Sequence, residues 1–226
     1  MISIWVVALI FFILALITYH FKINRKIEEG FGFDKDPSQF REPKIYPNFI
    51  TKEDANYILD MAEHNYSEST IVKGDINEIR KSQTYWLSKD DPIAAKIIKN
   101  VCKIDGHAIE QAEDIQVVKY EPNGFYREHH DSCCDNDDRC KEFIKDGNRV
   151  VTMLIYLNDE FQGGETKFPN LDKEYKPKKY SGLLFYPMNK DGDKCHEKSL
   201  HAGMPITKGE KYIANVWIRD KKNLYI

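Results

Sequence analysis

The chain is short of the biases that would place it outside the ordinary globular class. Of its 226 residues only 12 are Gly and 9 are Pro, and no segment repeats; collagen-like and low-complexity architectures are excluded. No charge of one sign dominates. The count is 33 Lys and Arg against 36 Asp and Glu, a net charge of −3. A nucleic-acid-binding domain carries a basic excess on one face, so no nucleic-acid partner is expected. Hydrophobic residues at 42% and aromatics at 12% are too plentiful for a chain that stays disordered.

Long apolar runs are also missing, with one exception. Ile4 to Ile17 is continuous, and with Thr18, Tyr19 and Phe21 it reaches about 20 residues, enough to cross a ~30 Å hydrocarbon layer as a helix. Lys22, Arg25 and Lys26 end it. A basic start and a small-residue cleavage site are both absent, which points to an uncleaved signal-anchor over residues 1–21 rather than a removed signal peptide. The membrane is therefore an expected partner. Residues 22–44, charged and broken by Gly30, Gly32, Pro37 and Pro43, read as a stalk, and 45–226 as the folded domain.

Cysteine is scarce: five residues, of which Cys133, Cys134 and Cys140 share one acidic stretch. An odd number cannot pair completely within one chain. A small disulfide-closed loop and free thiols both fit this stretch. A zinc knuckle is a third option, but no second ligand pair lies at zinc-finger spacing.

What is present follows a simple order. Thr51 with Asp54 three residues on forms a capping box, and Ile58, Leu59, Met61 and Ala62 give a helical stripe. Asp91-Pro92 starts a second helix with Ile93, Ile97, Ile98 and Val101 at helical spacing. Strands are expected at 115–120, 125–130, 150–157, 183–186 and 212–218, punctuated by Gln162-Gly163-Gly164 and by segment 173–179. Helices first and many short strands afterwards imply an α+β fold built on an antiparallel barrel or jelly roll.

The chemistry resides in His129-His130-Asp131. Alternation along a strand turns His129 and Asp131 to one face and His130 to the other. His196 falls in the polar loop 189–198, whereas His201 stands just before the last strand and is the third ligand of choice. Two imidazoles and one carboxylate on one side of a metal form the facial triad of non-haem Fe(II) oxygenases. Three protein ligands leave room for a bidentate 2-oxo acid and O₂. Lys211, ten residues after His201 at the head of the final strand, is costly inside a barrel unless it meets an anion. The far carboxylate of 2-oxoglutarate is such an anion.

These residues carry a wider resemblance. Asn48-Phe49-Ile50-Thr51, Arg80-Lys81-Ser82 leading into Gln83-Thr84-Tyr85-Trp86-Leu87, then Tyr120, Gly124 and Tyr126 occur ahead of the triad pair. Arg149-Val150-Val151-Thr152-Met153-Leu154-Ile155-Tyr156-Leu157-Asn158, Gly163-Gly164-Glu165-Thr166 and Phe168-Pro169 follow it. His201-Ala202-Gly203, Pro205, Gly209, Lys211 and Trp217-Ile218 close the series. In this order and at these spacings, the chain from about residue 44 to about 219 resembles the catalytic domain of the 2-oxoglutarate- and Fe(II)-dependent prolyl 4-hydroxylases.

The resemblance implies a double-stranded β-helix (a jelly-roll, cupin-like barrel) with supporting N-terminal helices. It implies His129, Asp131 and His201 as iron ligands, and Lys211, helped by Tyr120, as the site for the 2-oxoglutarate C5 carboxylate. It also places Tyr126 and Arg149 in a groove for a proline-containing peptide or protein. Ascorbate is the implied reductant for iron oxidised off-pathway. Arg149 has a plainer alternative, a salt bridge to the acidic loop 132–148. Tyr212 stands where many relatives have Trp. Lys211, where lysyl hydroxylases and oxygen-sensing prolyl hydroxylases carry Arg, favours the collagen- and plant-type branch. A lysine-directed oxygenase and a non-catalytic peptide-binding module on the same barrel are the alternatives. Anchored relatives work in the endoplasmic reticulum or Golgi lumen, which is the expected compartment here. The basic flank after the anchor, by the positive-inside rule, points to the cytoplasm instead.

Deleting residues 1–26 is expected to yield a soluble domain that binds iron and turns over. Aggregation together with loss of iron binding would place the apolar segment in the core instead.

Overall fold

The computed structural model describes residues 12–19, 32–70 and 79–221. Residues 12–19 are helical and exposed; the rest of the expected anchor lies outside the described residues, among which no helix is long and apolar enough to cross a membrane.

Local chemistry starts both helices where expected. Thr51 Oγ1 accepts from the Asp54 amide at 3.1 Å, and the Asp54 carboxylate accepts from the Thr51 amide at 3.2 Å. Helix α1 (Lys52–Ala62) follows this reciprocal box. Asp91 caps α2 (Pro92–Asp105) through the amides of Ile93 and Ala94, and Gly106 ends it at φ +80°, a conformation open to a residue without Cβ. Lys96 bridges the two helices to Asp54 at 2.8 Å. Ala55, Ile58, Ala62, Ala94, Ile97, Ile98 and Val101 are buried; Met61, expected in the stripe, is exposed. A short helix, α3 (Asp138–Phe143), lies in the acidic loop.

Among the described residues the strands are β1 (Phe33–Asp34), β2 (Lys44–Tyr46), β3 (Ser67–Glu68), β4 (Arg80–Lys81), β5 (Gln83–Leu87), β6 (Ile115–Tyr120), β7 (Phe125–His129), β8 (Arg149–Tyr156), β9 (Gln162–Gly163), β10 (Thr166–Phe168), β11 (Lys173–Tyr175), β12 (Gly182–Phe185), β13 (Cys195–His196), β14 (His201–Gly203), β15 (Ile206–Lys208) and β16 (Lys211–Arg219). Two antiparallel sheets dominate: seven strands in the order β2-β12-β8-β16-β6-β5-β3, and five in the order β11-β10-β14-β7-β4. Val118, Tyr120, Leu154, Tyr156, Leu183, Phe185 and Ile213 of the large sheet pack with Phe168 of the small one. Val117, Val151, Met153, Ile155, Ala214, Val216 and Ile218 join the helices on the other side. The large sheet is thus covered on both faces, so β8 is apolar along nearly its whole length without a polar alternation.

Three segments and one histidine differ from expectation. Gln162-Gly163 and 173–175, read as breaks, are the short edge strands β9 and β11. The part of the expected stalk that is described, 32–44, is built into the domain. β1 pairs in parallel with β13, and β2 starts at Lys44 on the edge of the large sheet. His196, expected in a polar loop, is fully buried; its Nε2 donates to the Asp36 carbonyl at 3.0 Å and its ring meets Phe40 at 4.8 Å. We call residues 32–41 the strap.

The acidic stretch forms disulfides. Cys133 joins Cys140, Cys134 joins Cys195, and Cys102 is free and buried. In the loop-entropy account a cross-link stabilises according to the loop that it closes. Separations of 61 and 7 residues correspond to about 4 and about 2.5 kcal/mol. Cys195→Ser is therefore expected to lower the melting temperature more than Cys140→Ser, and a reductant should lower that of the wild type by at least as much. Equal melting of both variants and wild type under oxidising conditions would show that the bridges do not form.

Candidate active site

Strand β7 carries a bulge. His201 pairs with His129 and Gly203 with Tyr126, so two steps along β14 face three along β7. An extra residue re-aims the side chains that follow it. Tyr126 and His129 therefore share a face, their rings stacked at 3.5 Å. The bulge also turns the Arg127 carbonyl toward His129, whose Nδ1 donates to it at 2.8 Å. His201 repeats the arrangement, its Nδ1 donating to the Ser199 carbonyl at 3.0 Å. With both Nδ1 atoms engaged as donors, each Nε2 keeps its lone pair for a metal.

Those lone pairs converge on Asp131. Its Oδ1 lies 3.7 Å from His129 Nε2 and 3.8 Å from His201 Nε2. The three donor atoms all lie within 4.8 Å of one another. Oδ2 accepts from Thr152 Oγ1 at 2.7 Å. Burial works to raise the Asp131 pKa, but His201, His129, Arg149 and the hydrogen bond from Thr152 together bring it down to about 2. Burial, reinforced by His201, pushes His129 well below the ordinary imidazole value. At neutral pH this gives an ionised carboxylate beside a neutral imidazole, the protonation state that a divalent ion requires. The donor set fits Fe(II): two nitrogens and one oxygen, with the cavity side open. His130 turns away as alternation requires. Its Nδ1 meets the Ser199 hydroxyl at 3.0 Å, its ring meets Phe33 at 4.7 Å, and burial lowers its pKa to about 4.

The triad borders a cavity of about 550 Å³ between the two sheets. Along β16, Lys211, Ile213, Asn215 and Trp217 all line it. Lys211 is 2% exposed, and its ammonium donates to the Gly164 carbonyl at 2.7 Å. Burial, only partly offset by Glu165, lowers its pKa to about 7. Gly164 stands at φ +70°, a backbone conformation that L side chains rarely adopt, so glycine presents this carbonyl to the lysine without strain. Tyr120 pairs with Lys211 across β6 and β16 and is buried, its ring 5.6 Å from the ammonium.

Arg149 lines the cavity, but both arms of its guanidinium are held by Glu113 at 2.7 and 2.8 Å, and it lies 3.5 Å over the Trp217 ring. Its counter-ion is thus Glu113, which also binds Arg219 at 2.9 Å, and not the acidic loop. The Trp217 Nε1–H is buried without a partner among the described residues. Thr152, Trp217 and Arg80, which lies 4.7 Å over the Tyr126 ring, stand among the residues that carry the resemblance, but residue type and spacing assign them no role of their own.

Residues 115–219 match the model of the 2OG-Fe(II) oxygenase superfamily. A protein of Acanthamoeba polyphaga mimivirus, assigned to the prolyl 4-hydroxylases, is 43% identical over 197 residues, covering 87% of this chain and 81% of that protein. This chain belongs to the prolyl 4-hydroxylase family. Prolyl 4-hydroxylase 1 of Arabidopsis thaliana is 32% identical over 198 residues, 78% of this chain and 68% of that one. The crystal structure of the viral collagen prolyl hydroxylase of Paramecium Bursaria Chlorella virus-1, in complex with 2OG, superposes with a TM-score of 0.62 at 28% identity. The match covers 79% of this chain and 96% of that one. The family's Fe(II) and 2-oxoglutarate requirement agrees with the donor set and with the buried lysine.

In this prolyl 4-hydroxylase, replacing His129, Asp131 or His201 by Ala is expected to weaken Fe(II) or Co(II) binding more than 100-fold with the domain still folded. Thr152→Val should cost about tenfold, the usual effect of losing a hydrogen bond to a ligand, and His130→Ala less than fivefold. Metal titration followed by absorption checks the series; equal losses at His129 and His130 would refute the register.

Proposed function

We propose that the domain hydroxylates peptidyl proline at C4, using O₂ and 2-oxoglutarate and releasing succinate and CO₂. His129, Asp131 and His201 hold the iron; Lys211 and Tyr120 hold the C5 carboxylate of 2-oxoglutarate. The buried ammonium of Lys211 carries this reading, since a fully desolvated lysine whose hydrogen-bond partner is a carbonyl is suited to an anion. Bound Fe(II) supplies the oxygen activation that couples decarboxylation of the keto acid to attack on the proline C–H bond. The protein's share is geometry. The Arg127 and Ser199 carbonyls fix the two imidazoles, Thr152 holds one carboxylate oxygen so that the other faces the ion, and aromatic walls exclude water. Tyr126, stacked on His129, and Trp217, with its free N–H, are placed to receive the proline ring and a peptide carbonyl. Arg149 keeps the Trp217 ring in place. Ascorbate restores iron oxidised in uncoupled turnovers. The collagen-directed viral relative makes a collagen-like proline-rich peptide the first substrate to try.

The apolar N-terminus anchors the enzyme in a membrane, and the domain faces an oxidising lumen. The exposed helical stretch 12–19 supports the anchor, and two disulfides support the lumen.

Turnover of a proline-rich peptide panel, with mass spectrometry locating the added oxygen, tests the reaction. Hydroxylation at lysine, or succinate release without peptide hydroxylation, would overturn it.

Lys211→Ala is expected to raise the 2-oxoglutarate KM by two to three decades, because removing one partner of a desolvated charge pair costs on the order of 3–5 kcal/mol. Lys211→Arg should recover part of this. A KM within threefold of wild type would withdraw the assignment. The anion binds the protonated amine, and above pH 7 the free site is increasingly neutral. Affinity for 2-oxoglutarate should therefore fall as pH rises from 7 to 9, and binding should take up a proton, measurable by calorimetry in buffers of different ionisation enthalpy.

A further inference from the structure

We propose that Phe33, on the N-terminal strap, is a specificity-determining residue that packs against a second proline ring flanking the residue to be hydroxylated. The inference rests on the peptidyl-proline reading above and adds to it a contact outside the barrel.

The large exposed apolar side chains of the described domain are few, and two of them, Phe33 at 42% and Trp86 at 46%, line the catalytic cavity. An isolated exposed aromatic needs no explanation. Phe33 differs in how it is held. Its backbone is in register with Cys195 in the parallel β1–β13 pair, and Cys195 is in turn bonded to Cys134. The Gly32 amide donates to the Cys134 carbonyl at 2.9 Å. Asp34 Oδ2 accepts from Asn189 at 2.9 Å. The buried His196 donates to the Asp36 carbonyl and its ring meets Phe40 at a tilt. A two-residue strand has little stability of its own; here neighbouring groups fix it on both sides. Its one side chain that lines the cavity is a phenyl ring, left partly open to solvent.

That ring sits beside the chemistry. It lies 4.7 Å from the ring of His130, the residue between His129 at the end of β7 and Asp131. His130 is tied to the Ser199 hydroxyl, and the Ser199 carbonyl orients His201. Phe33, His129 and Asp131 line one cavity, so a peptide that reaches the triad can lie against the face of Phe33. Proline-rich segments are extended and conformationally restricted, and they dock on aromatic faces with little loss of entropy. Of the charged groups that line the cavity, Arg149 is engaged with Glu113 and Asp131 with Thr152, while Asp135 acts on the His130 ring that Phe33 touches. The free face of the phenyl thus favours an apolar ring over a charged side chain.

The test compares Phe33→Ala and Phe33→Tyr with wild type in the full domain. Two fluorescently labelled peptides of equal length are used, one with several prolines and one with a single proline among Ala and Ser. Anisotropy under anaerobic conditions with Fe(II) and 2-oxoglutarate reads binding, and subsequent admission of O₂ reads hydroxylation. Phe33→Ala is expected to weaken the multi-proline peptide about tenfold and the single-proline peptide less than twofold, Phe33→Tyr to restore wild-type binding, and 2-oxoglutarate affinity to stay unchanged. Equal weakening of both peptides, a loss confined to 2-oxoglutarate, or no change would overturn the proposal, as would failure of wild type to bind either peptide. Wild type that binds with this pattern but forms no hydroxyproline would instead overturn the reaction and leave the Phe33 contact standing.

Discussion

The cross-strand pairing of His201 with His129 is the contact on which the site depends. It sets two imidazoles opposite each other on the inner face of the small sheet, and the bulge beside it supplies the carbonyl that orients one of them. Asp131 then needs only to follow the end of β7 to complete three donors. A slip of one residue in this pairing would turn the imidazole of His129 outward, because side chains on a strand alternate. The large sheet and the helices behind it hold this register. β8 delivers Thr152 to the carboxylate, and β16 delivers Lys211 to the far end of the same cavity.

Much of this was legible in the chain. The caps at Thr51 and Asp91, the alternation that separates His129 and Asp131 from His130, and the position of His201 before the last strand are local patterns with one physical reading each. Lys211 is read from its place at the head of a strand that must enter an apolar interior. What was not legible depends on chain segments distant in sequence. Cys134 reaches across 61 residues to Cys195, and nothing in the spacing of five cysteines selects that pair. Glu113 lies 36 residues from Arg149, so the acidic loop beside the arginine drew the expectation instead. The strap has stalk-like composition, yet its hydrogen bonds go to β13 and to the turn before it. His196 sits among polar residues in sequence but is buried because that strap covers it.

The polar groups buried around the cavity divide by whether the protein satisfies them. Arg149, Glu113 and Arg219 complete one another, and Tyr156 and Thr166 share a hydrogen bond of 2.6 Å. The lysine has a carbonyl where a carboxylate would be stronger, and Trp217 has nothing among the described residues. Buried groups left short of protein partners are where a ligand gains most when it brings the missing acceptor. The affinity of this enzyme for its two substrates is in that sense stored in the free protein as unmet hydrogen bonding.

Strand β16 divides its labour by parity. Lys211, Ile213, Asn215 and Trp217 face the reaction, whereas Ala214, Val216 and Ile218 face the helices. Mutational drift at the odd positions can retune which cosubstrate or peptide is accepted while the even positions go on holding the fold. An insertion or deletion of one residue exchanges the two sets, so the strand can evolve by substitution but not by change of length.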